Sequence, residues 1–140
     1  MDAIKEKDAF LATGHISPEE SLILCREGRK RGVNMILTHP EFPRTRIGRD
    51  DQAELAKLGV VIEKNWFNLA QKSVMPEEMA ETIRTVGSGH VYLATDRGQK
   101  GAPTPVSELK RFIAVMLTCG IAEAQIRDMV QKVPEEVVCR

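Results

Sequence analysis

Short apolar segments recur along the 140-residue chain, and each is followed by a segment with helical signals. Apolar runs of roughly four to eight residues, bounded by turn-forming residues, predict β-strands. Parallel neighbours cannot be joined by a tight hairpin, so strands that alternate with helices indicate βαβ crossovers and a parallel sheet. The sequence therefore predicts an α/β fold with four strands, at residues 8–13, 33–38, 60–63 and 91–95.

The predicted helices have recognisable beginnings and ends. Ser17-Pro18-Glu19-Glu20 is a capping box with proline at the first helical position, and Gly32 ends the helix that follows at about Arg31. Similar signals predict four more helices, which begin near Asp51, Pro76, Thr104 and Ala122, the last of them ending near Lys132. Each predicted strand is thus followed by a helix.

The spacing of the strand ends matches the repeat of an eight-fold (βα) barrel, for which roughly 250 residues are typical. With 140 residues the chain holds about half of such a barrel, so we predict one domain over residues 1–140. A dinucleotide-binding fold would require G-x-G-x-x-G at the first strand-to-helix turn. That turn, residues 13–18, contains the single glycine Gly14, which disfavours this alternative.

Charge and hydropathy exclude several classes of partner. The 20 Lys and Arg residues balance the 20 Asp and Glu residues, so no overall field attracts the chain to nucleic acid or to an anionic membrane. The densest basic run, residues 26–31, contains Glu27 and lies at a predicted helix end, where cations are favoured. The longest apolar stretch, residues 112–122, is shorter than the roughly 20 residues of a membrane span. We expect no nucleic-acid partner and no membrane partner.

The amino-terminal segment and the cysteines indicate the cellular compartment. Residues 1–7 are too charged for a signal peptide, so we expect a cytoplasmic protein. Cys25, Cys119 and Cys139 are odd in number and lack C-x-x-C spacing, which disfavours a disulfide framework and a structural zinc knuckle. They are expected to be reduced and mostly structural.

Chemically versatile side chains follow the predicted strands. The carboxyl ends of parallel strands open onto one face, so His15, His39, Glu63 and Asp96 should lie there together. Two imidazoles and one carboxylate are a ligand set typical of catalytic Zn²⁺, and they also suit other divalent metals. The third histidine, His90, precedes its strand and should lie at the opposite end of the sheet. Taken alone, a histidine after a strand is more often a loop hydrogen-bonder and Asp96 more often a turn residue; the coincidence of three such strand ends is more informative than any one.

Four segments carry a family resemblance: LATGHISPEES, ILTHPEFP, VYLATDRGQKGAPTPVSELKRFIAVMLTCGI and IRDMVQKVPEEV. Together they resemble the carboxyl-terminal half of metal-dependent hydrolases of the amidohydrolase superfamily, and within it an uncharacterised group of TIM-barrel proteins. The most specific features are the strand ends Thr-Gly-His, Thr-His-Pro and Thr-Asp, in that order. The resemblance implies that the chain corresponds to the second half of the barrel.

The resemblance also implies roles for the strand-end residues. His15 and His39 correspond to the metal-binding histidines of the fifth and sixth barrel strands. Asp96 corresponds to the aspartate of the eighth strand, which binds metal and takes a proton from the attacking water. Glu63 and Lys64 end the seventh strand, where family members contact substrate. We therefore expect a divalent metal, with Zn²⁺ the first choice and Mn, Fe or Ni as alternatives.

The chain departs from the family pattern in its first half. It contains no H-x-H pair, which the superfamily carries on the first strand, and it begins just before the equivalent of the fifth strand. We expect either a fragment of a longer enzyme or a half-barrel that pairs with a partner. An isolated four-stranded parallel sheet would expose its edges and its inner face, so a homo-oligomer or a pairing with a missing half-barrel is expected.

Two functions follow from these observations. The first is a metal-dependent hydrolase in which activated water attacks an ester, amide or phosphoester of a small-molecule substrate. The loop cations Arg97, Lys100 and Arg44 could then neutralise an anionic substrate. The second is a non-catalytic half-barrel that acts as a structural or oligomerisation module, in which His15, His39 and Asp96 only cap loops.

Overall fold

A four-stranded, all-parallel sheet organises the computed structural model, which describes residues 1–139. The strands pair in chain order, β1 with β2, β2 with β3 and β3 with β4. Their bounds are Phe10–Ala12 (β1), Asn34–Leu37 (β2), Val61–Asn65 (β3) and Val91–Ala94 (β4). The predicted α/β class and all four predicted strands are confirmed, with ends that differ by up to two residues.

The strand order separates two kinds of parallel sheet. In dinucleotide-binding folds the order reverses near the middle of the sheet, so that chain neighbours are not always sheet neighbours. Here every strand lies beside the preceding one, which is the sequential winding of half of a (βα) barrel. The carboxyl ends of all four strands therefore lie along one edge of the sheet.

Helices flank the sheet and connect its strands. The long ones are Pro18–Lys30 (α2), Arg49–Lys57 (α3), Pro76–Val86 (α5) and Pro105–Thr118 (α6). The short ones are Asp2–Glu6 (α1), Trp66–Ala70 (α4), Glu123–Arg127 (α7) and Val133–Val138 (α8). A 3₁₀ turn, Ser88–His90, precedes β4, and a π-helical turn, Asp128–Lys132, joins α7 to α8.

The predicted capping box of α2 is confirmed. Ser17 Oγ accepts a hydrogen bond from the Glu20 backbone N–H at 3.2 Å, and the Ser17 backbone N–H donates to Glu20 Oε2 at 3.0 Å. Thr104 caps α6 in a similar way, since its hydroxyl accepts from the Ser107 backbone N–H at 3.3 Å. These caps satisfy backbone donors that the first helical turn leaves unpaired.

One face of the sheet packs against the long helices. Met35, Leu37, Ile62, Val91 and Leu93 are buried there in a continuous apolar core. Helical residues complete this core, among them Leu55, Met79, Ile83, Phe112 and Met116. Burial of such side chains is the main driving force for folding, so this face fixes the sheet relative to its helices.

The other face of the sheet has a different character. The register pairs Ile36 with Val61 and Glu63 with Tyr92, and side chains alternate along a strand. This face therefore carries Phe10, Ala12, Ile36, Val61, Tyr92 and Ala94, which lie outside the main core cluster; all except Ile36 are at least partly accessible. In a closed barrel these positions would fill the interior.

Two further expectations concern cysteines and membranes. Cys25 is buried, Cys119 is partly buried and Cys139 is exposed, and all three are free thiols. None of the helices within residues 1–139 combines the length and hydrophobicity needed to cross a bilayer.

Candidate functional site

The ends of β1 and β2 are joined by two threonine hydroxyls. The Thr38 backbone N–H donates to Thr13 Oγ1 at 3.0 Å, and the Gly14 backbone N–H donates to Thr38 Oγ1 at 3.3 Å. Gly14 has φ +62°, a left-handed conformation that glycine adopts without steric cost. We call these two hydrogen bonds the threonine brace. The turn at Gly14 leads the chain from this brace directly to His15. The threonines that precede the two predicted histidine ligands hold their strand ends in register.

His15 and His39 lie side by side at this edge of the sheet. Their ring centroids are 5.1 Å apart and the rings are inclined by 40°. His15 is exposed and also meets Phe42 edge-on, with 6.4 Å between ring centroids. The His39 side chain is 14% exposed. The structure therefore brings together two imidazoles that are 24 residues apart in sequence.

The backbone of His39 is held in an uncommon conformation. Its φ is +48°, in the left-handed region that non-glycine residues seldom adopt. The His39 carbonyl accepts from Thr45 Oγ1 at 2.6 Å and from the Phe42 backbone N–H at 3.0 Å. Such conformations persist where the surroundings over-determine them, and they cluster at functional sites.

Glu63 and Asn65 of β3 lie against the His39 ring. Glu63 Oε1 is 3.7 Å from His39 Nδ1, and Asn65 Nδ2 is 3.2 Å from the same nitrogen. Asn65 Nδ2 also donates to Glu63 Oε1 at 3.0 Å, while Asn65 Oδ1 accepts from the Phe67 backbone N–H at 2.9 Å. The amide is therefore oriented from both ends, so that His39 Nδ1 acts as an acceptor and the ring proton resides on Nε2.

Burial governs the ionisation of Glu63. The carboxyl group is 7% exposed, and desolvation raises its pKa, an effect that the neighbouring His39 and Asn65 oppose. The charge of Asp96 raises the pKa of Glu63 further. Asp96 is therefore close enough to Glu63 to interact with it electrostatically across the strand ends.

Asp96 follows β4 in the second unusual backbone conformation of the site. Its φ is +51° and its residue surface is exposed. The Asp96 carbonyl accepts a hydrogen bond from Gln99 Nε2 at 3.0 Å. Asp96 therefore reaches the predicted edge of the sheet, on an exposed loop.

Lys64 lies on the opposite face from its neighbours Glu63 and Asn65. It is fully buried, and its ammonium contacts Glu41 Oε1 and donates to Gln52 Oε1 at 2.6 Å. Burial lowers the pKa of Lys64, and Glu41 opposes this shift. The position of Lys64 does not support the predicted substrate contact; the residue instead ties the loop after His39 to β3 and α3.

Arg97 is partly buried behind the loop that carries Asp96. Its Nε donates to Glu108 Oε2 at 3.2 Å, and its guanidinium lies 5.5 Å from the centroid of the Phe67 ring. Lys100 and Arg44, the other predicted loop cations, are exposed. His90 lies just before β4, at the opposite end of the strand from Asp96, as its sequence position predicts.

The donor set meets part of the needs of a divalent metal. Two adjacent imidazoles with a carboxylate beside one of them are the chemistry that zinc sites use, including the carboxylate that orients a ligating histidine. Within residues 1–139, however, no three His, Cys, Asp or Glu side chains are grouped as a metal ion would require. The described residues fit a two-histidine half of a metal centre, and they do not assemble a complete one.

One protein-family model matches the amino-terminal part of the chain. A protein-family model for a family of unknown function, DUF6282, matches residues 1–63. The matched region contains His15, His39 and Glu63 and ends before Asp96. No curated protein and no solved structure matches the chain.

Several residues around the site carry no simple sequence signal. Glu41 and Gln52 bind Lys64 from a loop and a helix, and they also line a cavity of about 570 Å³ beside α3 and α5. Glu108 is 2% exposed although it occupies the first turn of a helix, where an acidic residue is usually explained by the helix dipole. For Lys64 the sequence does contain one signal. Side chains alternate along a strand, so Lys64, which follows Glu63 in β3, must lie on the opposite face of the sheet.

The buried Lys64–Glu41 pair yields a stability prediction. Lys64→Met would leave the Glu41 carboxylate buried without its cation, so we expect the free energy of unfolding in urea to fall by about 3–5 kcal/mol. The matched double variant Lys64→Met with Glu41→Leu removes both charges and should recover most of this loss. Equal stability of the single and double variants would show that the pair does not anchor the loop.

Proposed function

We propose that the strand-end face supplies half of a divalent-metal hydrolase site, with His15 and His39 as its imidazole ligands. The observation that carries this proposal is the 5.1 Å separation of the two rings, produced by a threonine brace between adjacent strand ends. Zn²⁺ is the metal that this donor set suits best, and Mn, Fe or Ni are alternatives. Asp96, on the same edge, is the proposed third ligand.

Glu63 would orient His39 for this role once the Asn65 hydrogen bond to Nδ1 is given up. In the hydrogen-bonded arrangement present, the His39 ring proton resides on Nε2. Coordination through Nε2 requires that proton to reside on Nδ1 instead, and Glu63 Oε1, 3.7 Å away, is the acceptor within reach. A carboxylate in this position fixes the tautomer of a ligating histidine and increases its basicity.

The proposed reaction is hydrolysis of an ester, amide or phosphoester. A bound divalent metal would polarise the scissile group and lower the pKa of a water molecule toward roughly 7. In this proposal Asp96 accepts the proton of the attacking water. Two observations support this role: Asp96 is exposed at the same edge, and it has no ion pair among the contacts of residues 1–139. Glu63 is buried beside His39 and serves positioning rather than proton transfer.

A second set of strand ends would complete such a site. The inner face of the sheet carries the partly accessible residues Phe10, Val61 and Tyr92, and apolar faces favour association. We therefore propose that the chain pairs with another half-barrel, in the simplest case a second copy of itself.

A cytoplasmic setting is proposed too, since three free thiols suit a reducing compartment.

The alternative function is a non-catalytic structural or oligomerisation module. The observation that favours it is the absence, in the described part of the chain, of three potential ligands grouped for a metal. In that case the brace and the His39 contacts only stabilise loops, and substitution of Asp96 would leave any measured hydrolysis unchanged.

Hydrolysis of activated esters tests the proposed function. With Zn²⁺ added, the protein should cleave p-nitrophenyl acetate or bis(p-nitrophenyl) phosphate. Asp96→Asn should lower the rate by about 10²- to 10⁴-fold, the usual contribution of general acid–base catalysis. His39→Ala should abolish the dependence on zinc.

His90→Ala and Asp50→Asn are the matched controls, since His90 lies at the other end of β4 and the Asp50 side chain is 98% exposed. Both should retain the wild-type rate. Absence of zinc-dependent cleavage of either ester, or full activity of His39→Ala, would contradict a hydrolase.

The proposed pairing is tested by the mass of the native protein. Light scattering after size-exclusion chromatography should give a multiple of 15.6 kDa. Val61→Glu, on the inner face, should shift the mass toward the monomer, because a buried carboxylate at an interface is costly. Ile23→Glu, at a helical position that is 63% exposed, is the matched control. A monomeric wild-type chain would contradict the pairing.

A further inference from the structure

A buried carboxylate lies beneath the loop that follows β4. Glu108, on the first turn of α6, is 2% exposed and receives three donors. Trp66 Nε1 and Arg97 Nε donate to its Oε2, and Arg111 Nη1 donates to its Oε1 at 3.0 Å. Burial of an ionised carboxylate is costly unless it is paired and hydrogen-bonded, and here both oxygens are satisfied.

The same contacts immobilise the Arg97 side chain. Its Nε is bound to Glu108 at 3.2 Å and its guanidinium packs over the Phe67 ring at 5.5 Å from the centroid. The Arg97 side chain is 16% exposed, compared with 64% for Arg111. An arginine on a loop usually loses considerable rotamer freedom when it binds a ligand. Arg97 is already ordered before any ligand arrives.

The contacts of Arg97 with Glu108 and Phe67 do not engage its Nη1 and Nη2 groups. Within residues 1–139 the structure gives Arg97 no hydrogen bond through Nη1 or Nη2. A guanidinium presents its donors in a planar fork that matches the two oxygens of a carboxylate or a phosphate. The next residue toward the sheet is Asp96, at the edge that also carries His15 and His39.

We infer that Arg97 is an oxyanion-binding residue, which selects substrates that carry a carboxylate or phosphate group. This inference rests on the proposed function only in taking the strand-end face as the substrate face. Glu108, Phe67 and Trp66 are its positioning residues: they hold the guanidinium in place and leave its Nη edge free.

The need to neutralise the buried Glu108 carboxylate does not by itself explain why Arg97 is present beside it. Arg111 already pairs with the other carboxylate oxygen, and the Trp66 indole donates to the oxygen that Arg97 shares. The two guanidinium groups exceed the single carboxylate by one positive charge. Pairing of the Glu108 carboxylate therefore does not require both arginines.

Titration with inorganic phosphate, and in a second arm with acetate, tests this inference. The ¹H–¹⁵N spectrum of the full chain is recorded in metal-depleted buffer without a chelator, at constant ionic strength. The Arg97 Nε–H resonance and the Gly98 and Gln99 amides should move saturably, whereas sodium chloride at matched ionic strength should not move them. Phosphate alone, acetate alone or both would define which oxyanion the fork accepts.

Variants separate anion binding from a structural role. Arg97→Gln should weaken phosphate or acetate binding by at least about tenfold, the worth of one charge-assisted hydrogen bond. Arg97→Lys keeps the charge without the fork and should bind more weakly than wild type. Arg111→Gln, on the same carboxylate, should bind within about twofold of wild type, a difference below roughly 0.5 kcal/mol.

Two results would overturn the inference: no saturable shift in the wild-type protein, or equal binding by wild type and Arg97→Gln. If Arg97→Gln does not fold, Arg97→Lys decides, and binding equal to wild type would then reject the fork. Because the buffer is depleted of metal throughout, the result does not depend on metal. The oxyanion site can therefore be supported even if the hydrolase proposal fails, and the reverse also holds.

Discussion

Sequential parallel pairing is the constraint on which the rest of this structure depends. Each strand lies beside the one that precedes it in the chain, so the four carboxyl ends follow one another along a single edge. The Thr13–Thr38 hydrogen bonds then fix the relative height of the first two ends. Without that register His15 and His39 would be separate loop residues, and with it they form one pair of imidazoles.

Buried charges on the helix-covered side support the exposed face. Alternation along β3 sends Glu63 and Asn65 to one side of the sheet and Lys64 to the other. Glu63 and Asn65 hold the His39 ring, while Lys64 binds Glu41 and so holds the loop that continues from His39. Glu108 does the same for Arg97 at the end of β4. His39 is thus held directly by Glu63 and Asn65, while Lys64 anchors its loop from the opposite face of the sheet.

Much of this arrangement could be predicted from sequence because it depends on local signals. Apolar runs gave the strands, and the Ser17 capping box gave the start of α2. The alternation of strands and helices placed His15 and His39 at one edge, where the structure brings them together. The short helix α4 was missed, since five residues are too few to show helical periodicity. The last predicted helix, residues 122–132, corresponds to α7 and the π-helical turn, and α8 continues it.

The remainder depends on long-range packing that a sequence pattern does not contain. Lys64 pairs with Glu41, which lies in a loop 23 residues earlier in the chain. Glu108 accepts a hydrogen bond from Trp66, which lies 42 residues earlier. The left-handed backbone at His39 and Asp96 is imposed by loop hydrogen bonds rather than by residue type alone. The proximity of His15 and His39 follows from strand order and could be predicted. Whether Asp96 joins them as a third grouped ligand depends on loop conformation, which the sequence pattern does not contain.

The central claim is that His15 and His39 act together as metal ligands. Long-range ¹H–¹⁵N spectra of the imidazole rings, recorded with and without one equivalent of Zn²⁺, test it most directly, because the chain has three histidines and the third lies at the far end of β4. We expect ring nitrogens of both His15 and His39 to shift on zinc binding while those of His90 stay unchanged. Unchanged His15 and His39 rings, or a response confined to His90, would contradict the claim.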